Sequence, residues 1–242
     1  FPHNPEPLKK NLTQLSKKVI DTNADLGIAV DPDVDRLVFV CENGEIFGEE
    51  NTLVACSDYV LEKSPGSTVS NLSSSRALAD ITKKHNQIHF YSAVGEVNVV
   101  KKMKECSAVI GGEGNGGVIY PKSHYGRDAI VGIGLFLSLF IERGLKASQL
   151  LDTYPKYYML KEKVNISSEL IINKILKKIT KKYINEKVDL VDGVRIDFTQ
   201  SWVQLRKSNT EPIIRIYSEA KTIEKCKELI KEIETLIKKI IN

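Results

Sequence analysis

Three stretches of this 242-residue sequence concentrate side chains able to do chemistry. The densest is Asp31-Pro32-Asp33-Val34-Asp35-Arg36. Carboxylates at i, i+2 and i+4 in a tight turn are hard oxygen ligands suited to Mg2+ or Ca2+, and without a cation they would repel one another. Arg36 beside them is the kind of group that holds a phosphate next to a metal. Asp31, Asp33, Asp35 and Glu42 even fall on EF-hand ligand positions 1, 3, 5 and 12. An EF-hand is nevertheless rejected, because its sixth position needs glycine and is Arg36 here, and the flanks read as strands rather than helices. A plain solvated acidic turn is the competing reading, and it leaves the repulsion unexplained.

The second stretch is Gly111-Gly112-Glu113-Gly114-Asn115-Gly116-Gly117. Its G-x-G-x-x-G spacing suggests a dinucleotide loop, but Val118-Ile119-Tyr120-Pro121 follows as a strand, not as a helix whose N-terminus could hold a pyrophosphate. What remains is a permissive loop presenting Glu113 and Asn115, an acceptor and a donor-acceptor able to read adjacent sugar hydroxyls. The third stretch, Arg206-Lys207-Ser208-Asn209-Thr210-Glu211-Pro212 with Arg215 beyond, brings hydroxyls, an amide and guanidinium groups into one loop that could clamp a dianionic phosphate. Tight turns with incidental polar residues are the competing reading for both. His124, in Ser123-His124-Tyr125-Gly126-Arg127-Asp128, is a lone histidine and is assigned no role.

The elements that must position these loops can be read from hydrophobic periodicity. Helical spacing over 8–22 leads into strands 26–30 and 37–41 on either side of the aspartate turn. Helices near 49–63, 74–85, 97–105 and 128–142 then alternate with strands near 68–72, 88–91, 108–110 and 118–120, which predicts an α/β layer with a largely parallel sheet. Beyond Pro155 the order changes to a strand (157–166), a helix (168–184), strands at 188–196, 202–206 and 213–218, and a final helix. The apolar stripe Ile223, Cys226, Ile230, Ile233, Ile237 and Ile240 is expected to pack on the antiparallel sheet before it, giving an α+β unit. The predicted fold class is therefore α/β plus α+β.

Composition bounds the rest. Hydrophobic residues make up 42% of the chain and charged residues 27%, with 35 Lys and Arg against 31 Asp and Glu, which excludes global disorder. The longest apolar run, 129–141, is interrupted by Gly132, Gly134 and Ser138 and falls short of the ~20 residues a bilayer needs. From Lys156 onward there are 19 basic and 12 acidic residues, against 16 and 19 before it, which supports a boundary near Pro155. The lysines lie at solvent-face spacing with no aromatic-rich basic motif, so nucleic acid is not an expected partner. Four scattered cysteines without C-x-x-C spacing argue against a disulfide framework or zinc site and for a reducing cytoplasm. The opening Phe1-Pro2-His3-Asn4-Pro5 is neither a signal peptide nor a Met start, and is read as the edge of a longer chain.

Taken in this order, the three loops resemble the α-D-phosphohexomutase superfamily, most of all its phosphoglucosamine mutases. Asp31-Pro32-Asp33-Val34-Asp35-Arg36 is similar to the metal loop of that family, Glu113-Gly114-Asn115-Gly116-Gly117 to its sugar-reading loop, and Arg206 to Pro212 to its phosphate-binding loop. The resemblance implies a domain 2 remnant with the metal loop (1–46), a complete α/β domain 3 with the sugar loop (47–155) and an α+β domain 4 with the phosphate loop (156–242). It also implies an absent first domain carrying a phosphoserine, since no serine precedes His3-Asn4-Pro5. The implied activity is exchange of hexose 6- and 1-phosphates through a bisphosphate. Mg2+ would sit on Asp31, Asp33 and Asp35, and Arg36 would steady the phosphoryl group. Glu113 and Asn115 would grip the sugar, while Arg206, Ser208, Asn209, Thr210 and Arg215 anchor the other phosphate.

Two positions depart from the family pattern. Many members carry histidine where this chain has Gly117, and Val94-Gly95-Glu96 places an acid where some hexose mutases have histidine and phosphoglucosamine mutases aspartate. Glu96 is expected near the sugar, where it could pair with the ammonium of glucosamine 6-phosphate. This tilts the expected substrate towards an amino-sugar phosphate over glucose or mannose phosphates, and the chain alone is expected to be inactive. Two other classes stay open: a non-catalytic sugar-phosphate-binding protein, and a Mg2+-dependent phosphatase with Asp31 as nucleophile.

Overall fold

The computed structural model describes residues 4–166, 168–208 and 211–241. The chain divides into two compact units, 1–155 and 156–242. In the first unit, α1 (Thr13–Thr22) leads into the hairpin β1 (Leu26–Val30) and β2 (Leu37–Cys41), antiparallel with Val30 opposite Leu37. Then follow α2 (Glu49–Lys63), β3 (Thr68–Asn71), α3 (Ala77–Lys84), β4 (His89–Ser92), α4 (Glu96–Glu105), β5 (Ile110–Glu113), β6 (Gly117–Ile119), α5 (Ala129–Arg143) and α6 (Ala147–Asp152).

The sheet order is β4-β3-β5-β6, with β3 parallel to both β4 and β5, and β6 returning antiparallel to β5. This is the largely parallel layer that alternating strands and helices imply. Since β3, β4 and β5 run the same way, the segments leaving them emerge at one edge of the sheet, the customary place for a ligand site in such folds. An aromatic wedge holds the hairpin to this layer: Phe39 of β2 stacks on Phe136 of α5 at 3.7 Å, and Phe47 meets Phe136 edge-on at 5.1 Å. Phe39, Phe47 and Phe136 are all fully buried. α5 starts where the Asp128 carboxylate accepts the Val131 N–H at 3.0 Å, the N-cap role its short acidic side chain suits.

The second unit is an antiparallel sheet in the order β7-β11-β10-β9-β8, formed by β7 (Tyr158–Asn165), β8 (Lys187–Asp189), β9 (Val194–Asp197), β10 (Ser201–Lys207) and β11 (Ile213–Ala220). The helices α7 (Glu169–Lys182) and α8 (Ile223–Ile241) cover one face of it. Ile230, Ile233 and Ile237 of the stripe pack with Val194, Ile196, Val203, Leu205, Ile214 and Ile216, as periodicity predicts.

The sequence reading differs from the structure in four places. The strand expected at 108–110 lies instead at β5, Ile110–Glu113, so the start of the glycine-rich stretch is strand and not turn. The stretch 188–196 is not one strand but the two strands β8 and β9 around a turn, signalled by Asp192-Gly193. The apolar pair Leu190-Val191 carries the hydrophobic run into the turn, which is why periodicity alone misses it. α6 had no expectation, and the helix expected over 74–85 starts only at Ala77, because 72–76 forms a polar loop. Among the described residues no helix is long and apolar enough to cross a membrane.

Candidate functional site

The aspartate turn joins β1 to β2 and is built by its own first residue. Asp31 Oδ1 accepts the backbone N–H groups of Asp35 at 3.1 Å and Arg36 at 3.0 Å. This folds the turn back on itself, with Val34 held at a φ of 60°. One carboxylate oxygen from each of Asp31, Asp33 and Asp35 lies within 4.8 Å of the others. Asp31 is buried, Asp33 exposed and Asp35 half-buried, so the cluster opens to solvent on one side. Asp35 Oδ1 is buried with no hydrogen-bond partner. Burial, and then contact with Asp31, push the Asp35 carboxyl up to about 6 against the pull of Arg127. An oxygen-only, small-ring donor set whose members repel one another fits a hard divalent cation such as Mg2+.

Arg36 leans over the same turn. Its Nη1 meets Glu6 Oε1 at 2.6 Å, while its Nε lies 3.5 Å from Asp31 Oδ2 and 3.8 Å from Asp35 Oδ1. The guanidinium therefore sits beside the carboxylates, as the sequence order suggests.

The glycine-rich loop comes directly against this turn. The Leu37 N–H donates to Gly116 O at 3.1 Å, and Ala129 N–H to Val34 O at 3.0 Å. Gly116 has φ +88°, and a Cβ there would lie 2.3 Å from Leu37 O, so only glycine allows the two loops to approach this closely. The loop continues into β6 rather than a helix, which agrees with rejecting the dinucleotide reading.

Glu113, at the end of β5, is buried and fully engaged. Its Oε1 accepts Asn71 Nδ2 at 2.7 Å and Gly95 N–H at 3.0 Å, and its Oε2 accepts Arg127 Nη1 at 3.1 Å. Asn115 turns inward to its own loop, with Oδ1 accepting the Gly117 N–H at 3.1 Å. That is a turn-forming bond, and it ties up one of the two groups expected to read sugar hydroxyls. Glu96, the first residue of α4, pairs through Oε2 with Arg127 Nε at 3.0 Å and accepts the Arg127 N–H on Oε1 at 3.3 Å. It is therefore already matched with a guanidinium, where the sequence suggested a carboxylate waiting for an ammonium.

Arg127 is the residue that sequence reasoning missed. Its third nitrogen, Nη2, pairs with Asp35 Oδ2, so a single side chain touches the cation turn, Glu96 and Glu113. The only sequence signal was a polar run before the α5 N-cap. Its partners lie 14 and 31 residues away or further, beyond the reach of local pattern. Ser74 was also missed: its Oγ donates to Asn71 Oδ1 at 3.0 Å and accepts the Gly114 N–H at 2.8 Å, locking the 72–76 loop to the glycine loop. His124 bonds Asp128 at 2.8 Å and takes no part in the cluster.

In the second unit, Arg206 and Arg215 are direct cross-strand partners on β10 and β11. Both stand on the sheet face opposite the helices, as do Arg195 and Trp202. Like charges placed opposite one another on a sheet are unfavourable unless an anion joins them. Arg206 Nε is buried with no hydrogen-bond partner, its Nη1 is 4.0 Å from Asp192, and Arg215 meets Glu211 at 3.2 Å. Ser208 is buried at the end of β10, with its N–H on Ile213 O at 3.1 Å. Asn209 and Thr210 lie outside the described residues.

Three family models match the chain in succession. Phosphoglucomutase/phosphomannomutase alpha/beta/alpha domain II covers residues 1–44, alpha/beta/alpha domain III covers 49–157 and the C-terminal domain covers 167–236. The chain belongs to the phosphoglucomutase/phosphomannomutase family. Within this family it is 39% identical over 234 residues to a phosphoglucomutase/phosphomannomutase of Thermococcus kodakarensis, covering 95% of this chain and 51% of that protein. It is 35% identical over 246 residues to a probable phosphoglucosamine mutase of Methanopyrus kandleri, covering 100% of this chain and 54% of the relative. A solved family structure from Burkholderia thailandensis superposes with a TM-score of 0.85 at 25% identity, over 98% of this chain and 52% of the other. The chain spans about half the length of the curated relatives it matches.

Proposed function

We propose that this chain is the metal-, sugar- and phosphate-binding portion of a phosphohexomutase that interconverts hexose 6-phosphate and hexose 1-phosphate, with glucosamine phosphate as the favoured substrate. The observation that carries this reading is the convergence of the aspartate turn, Glu96 and Glu113 around Arg127 in one unit. A pair of facing arginines on the other unit supports it. In this reading Asp31, Asp33 and Asp35 hold Mg2+, whose charge would offset that spread over the transferring phosphoryl oxygens. Arg36 steadies that phosphoryl group. Glu96, Glu113 and Asn115 are assigned to the sugar, which would have to share Glu96 and Glu113 with Arg127 and Asn115 with the Gly117 N–H. Arg206, Ser208, Asn209, Thr210 and Arg215 anchor the non-reacting phosphate. Anchoring of this kind can contribute ~7–11 kcal/mol by making the transfer effectively unimolecular.

The phosphoryl donor would be a phosphoserine outside these 242 residues, since no Ser-His-Asn-Pro loop occurs among them. We infer domain limits at about 46 and 155, and a cytoplasmic setting in which all four cysteines stay reduced; all four are free thiols. A phosphatase using Asp31 as nucleophile has less support, because Asp31 is buried and its Oδ1 already accepts two backbone N–H groups.

The test is 31P NMR of glucosamine 6-phosphate, glucose 6-phosphate and mannose 6-phosphate with Mg2+. The 242-residue chain alone should convert none of them. A longer form that carries a phosphorylatable serine loop should convert glucosamine 6-phosphate fastest. Turnover by the chain alone, or phosphate trapped on Asp31, would overturn the reading.

A further inference from the structure

We propose that Arg127 is the positioning residue that couples the cation-binding turn to the sugar-facing carboxylates. The proposal rests on the assignment of Asp31, Asp33 and Asp35 as cation ligands. Its three guanidinium nitrogens go to three carboxylates on three different segments: Nη2 to Asp35 in the turn after β1, Nε to Glu96 at the start of α4, and Nη1 to Glu113 at the end of β5. The side chain is only 15% exposed, so these contacts form in a poorly screened setting. The fork engages Asp35 Oδ2 and leaves Oδ1 buried without a hydrogen-bond partner, 3.8 Å from Arg36 Nε.

The backbone around Arg127 keeps the fork in place. Arg127 forms an isolated antiparallel bridge with Ile119 and donates its own N–H to Glu96 Oε1. Its aliphatic stem crosses Gly117, where a Cβ would lie 2.4 Å from Arg127 Cδ and 3.1 Å from Cγ. Gly117 is thus glycine because Arg127 fills the space a side chain there would need. A lysine also has three N–H donors, but they diverge from a single nitrogen and cannot span three carboxylates that each meet a different nitrogen of the planar fork.

Coupling follows from one positive charge shared among three negative ones. When a cation neutralises Asp35, the guanidinium is held more by Glu96 and Glu113. When a sugar amine or hydroxyl engages those glutamates, it is held more by Asp35. By linkage, each event must alter the affinity for the other. Deleting the Glu113 charge should therefore press Arg127 onto Asp35 and weaken cation binding, but only while the fork exists.

The experiment is Mn2+ binding to the purified chain, read by the loss of free-ion EPR signal, for the unchanged protein, Arg127→Lys, Glu113→Gln and the double variant. Loss of a bond that orients a metal ligand commonly costs ten- to a hundredfold in affinity, so Arg127→Lys should weaken Mn2+ by about tenfold. Glu113→Gln should weaken it by about threefold when Arg127 is present and by less than 1.5-fold in the double variant. Gly117→Ala, which displaces the Arg127 stem without removing its charge, should match Arg127→Lys and add nothing to it. Circular dichroism verifies that each variant is folded. Mn2+ affinity unchanged by Arg127→Lys, or Glu113→Gln and Arg127→Lys acting additively, would overturn the proposal while leaving the cation site standing. No Mn2+ binding by the unchanged chain would overturn both.

Discussion

The two units handle charge in opposite ways. In the first, five carboxylates, those of Asp31, Asp33, Asp35, Glu96 and Glu113, are drawn together from three segments and partly neutralised from inside by Arg127 and Arg36. In the second, Arg206 and Arg215 face each other across adjacent strands, with Arg206 Nε buried and without a hydrogen-bond partner. An internally compensated cluster makes a stable cage whose members depend on one another. A pair of like charges is a cost to its sheet that an anionic ligand would remove. Removing a central charge should therefore harm the first unit and spare the second.

The largest effect should come from the packing that carries the hairpin with the aspartate turn. Phe136→Ala removes the ring that stacks on Phe39 and meets Phe47 edge-on and should cost about 3–5 kcal/mol, read as a lower urea midpoint. Arg127→Met should cost about 3 kcal/mol, because it leaves half-buried and buried carboxylates without their cation, and added Mg2+ should recover part of the loss. A thermal scan showing Arg127→Met as stable as the parent would break the contrast between the units.

A pH effect should follow in size. The Asp35 carboxyl is raised from 3.8 to about 6 in the folded state. Between those values the folded chain keeps a proton that the unfolded chain has lost, so metal-free stability should fall as pH rises from about 4 to about 6 and level off above. A cation needs the deprotonated group, so the increase in Tm with Mg2+ should grow over the same window. A Mg2+ shift that is the same at pH 4.5 and pH 7.5 would count against Asp35 as a ligand.

The smallest effect belongs to the second unit. Arg206→Met relieves the repulsion with Arg215 and should change stability by no more than about 0.5 kcal/mol, towards greater stability. Inorganic phosphate should raise the Tm of the parent, and Arg206→Met should abolish that rise. A large destabilisation instead would show that Arg206 is a structural ion-pair member like Arg195, which forks onto Asp197 at 3.0 and 3.1 Å under the Trp202 ring.

Much of this architecture was legible from pattern. The alternating elements of the first unit, the isoleucine stripe of α8 and the strands around the aspartate turn all follow from periods of two and 3.6. The β8–β9 hairpin was not read, because the apolar Leu190 and Val191 fill the gap between the two strands, where the structure leaves them exposed. The engagement of Asn115 with Gly117 and of Glu96 with Arg127 was also hidden, since residue type names a chemical capacity and not the partner that takes it up.

The sequence by itself determined the chemistry of the aspartate turn: three carboxylates two residues apart, with Asp31 able to cap the N–H groups four and five residues on, although Ala129 and Arg127 also hold the turn from a distance. It likewise determined that Arg206 and Arg215 would lie close, because a short loop between two strands sets their register. Only the tertiary structure decided that Arg127 stands at the centre of the first site and that Gly117 makes room for it. Those contacts join segments that are distant in the chain, and which residues meet there depends on how the sheet edge, α4 and α5 pack together.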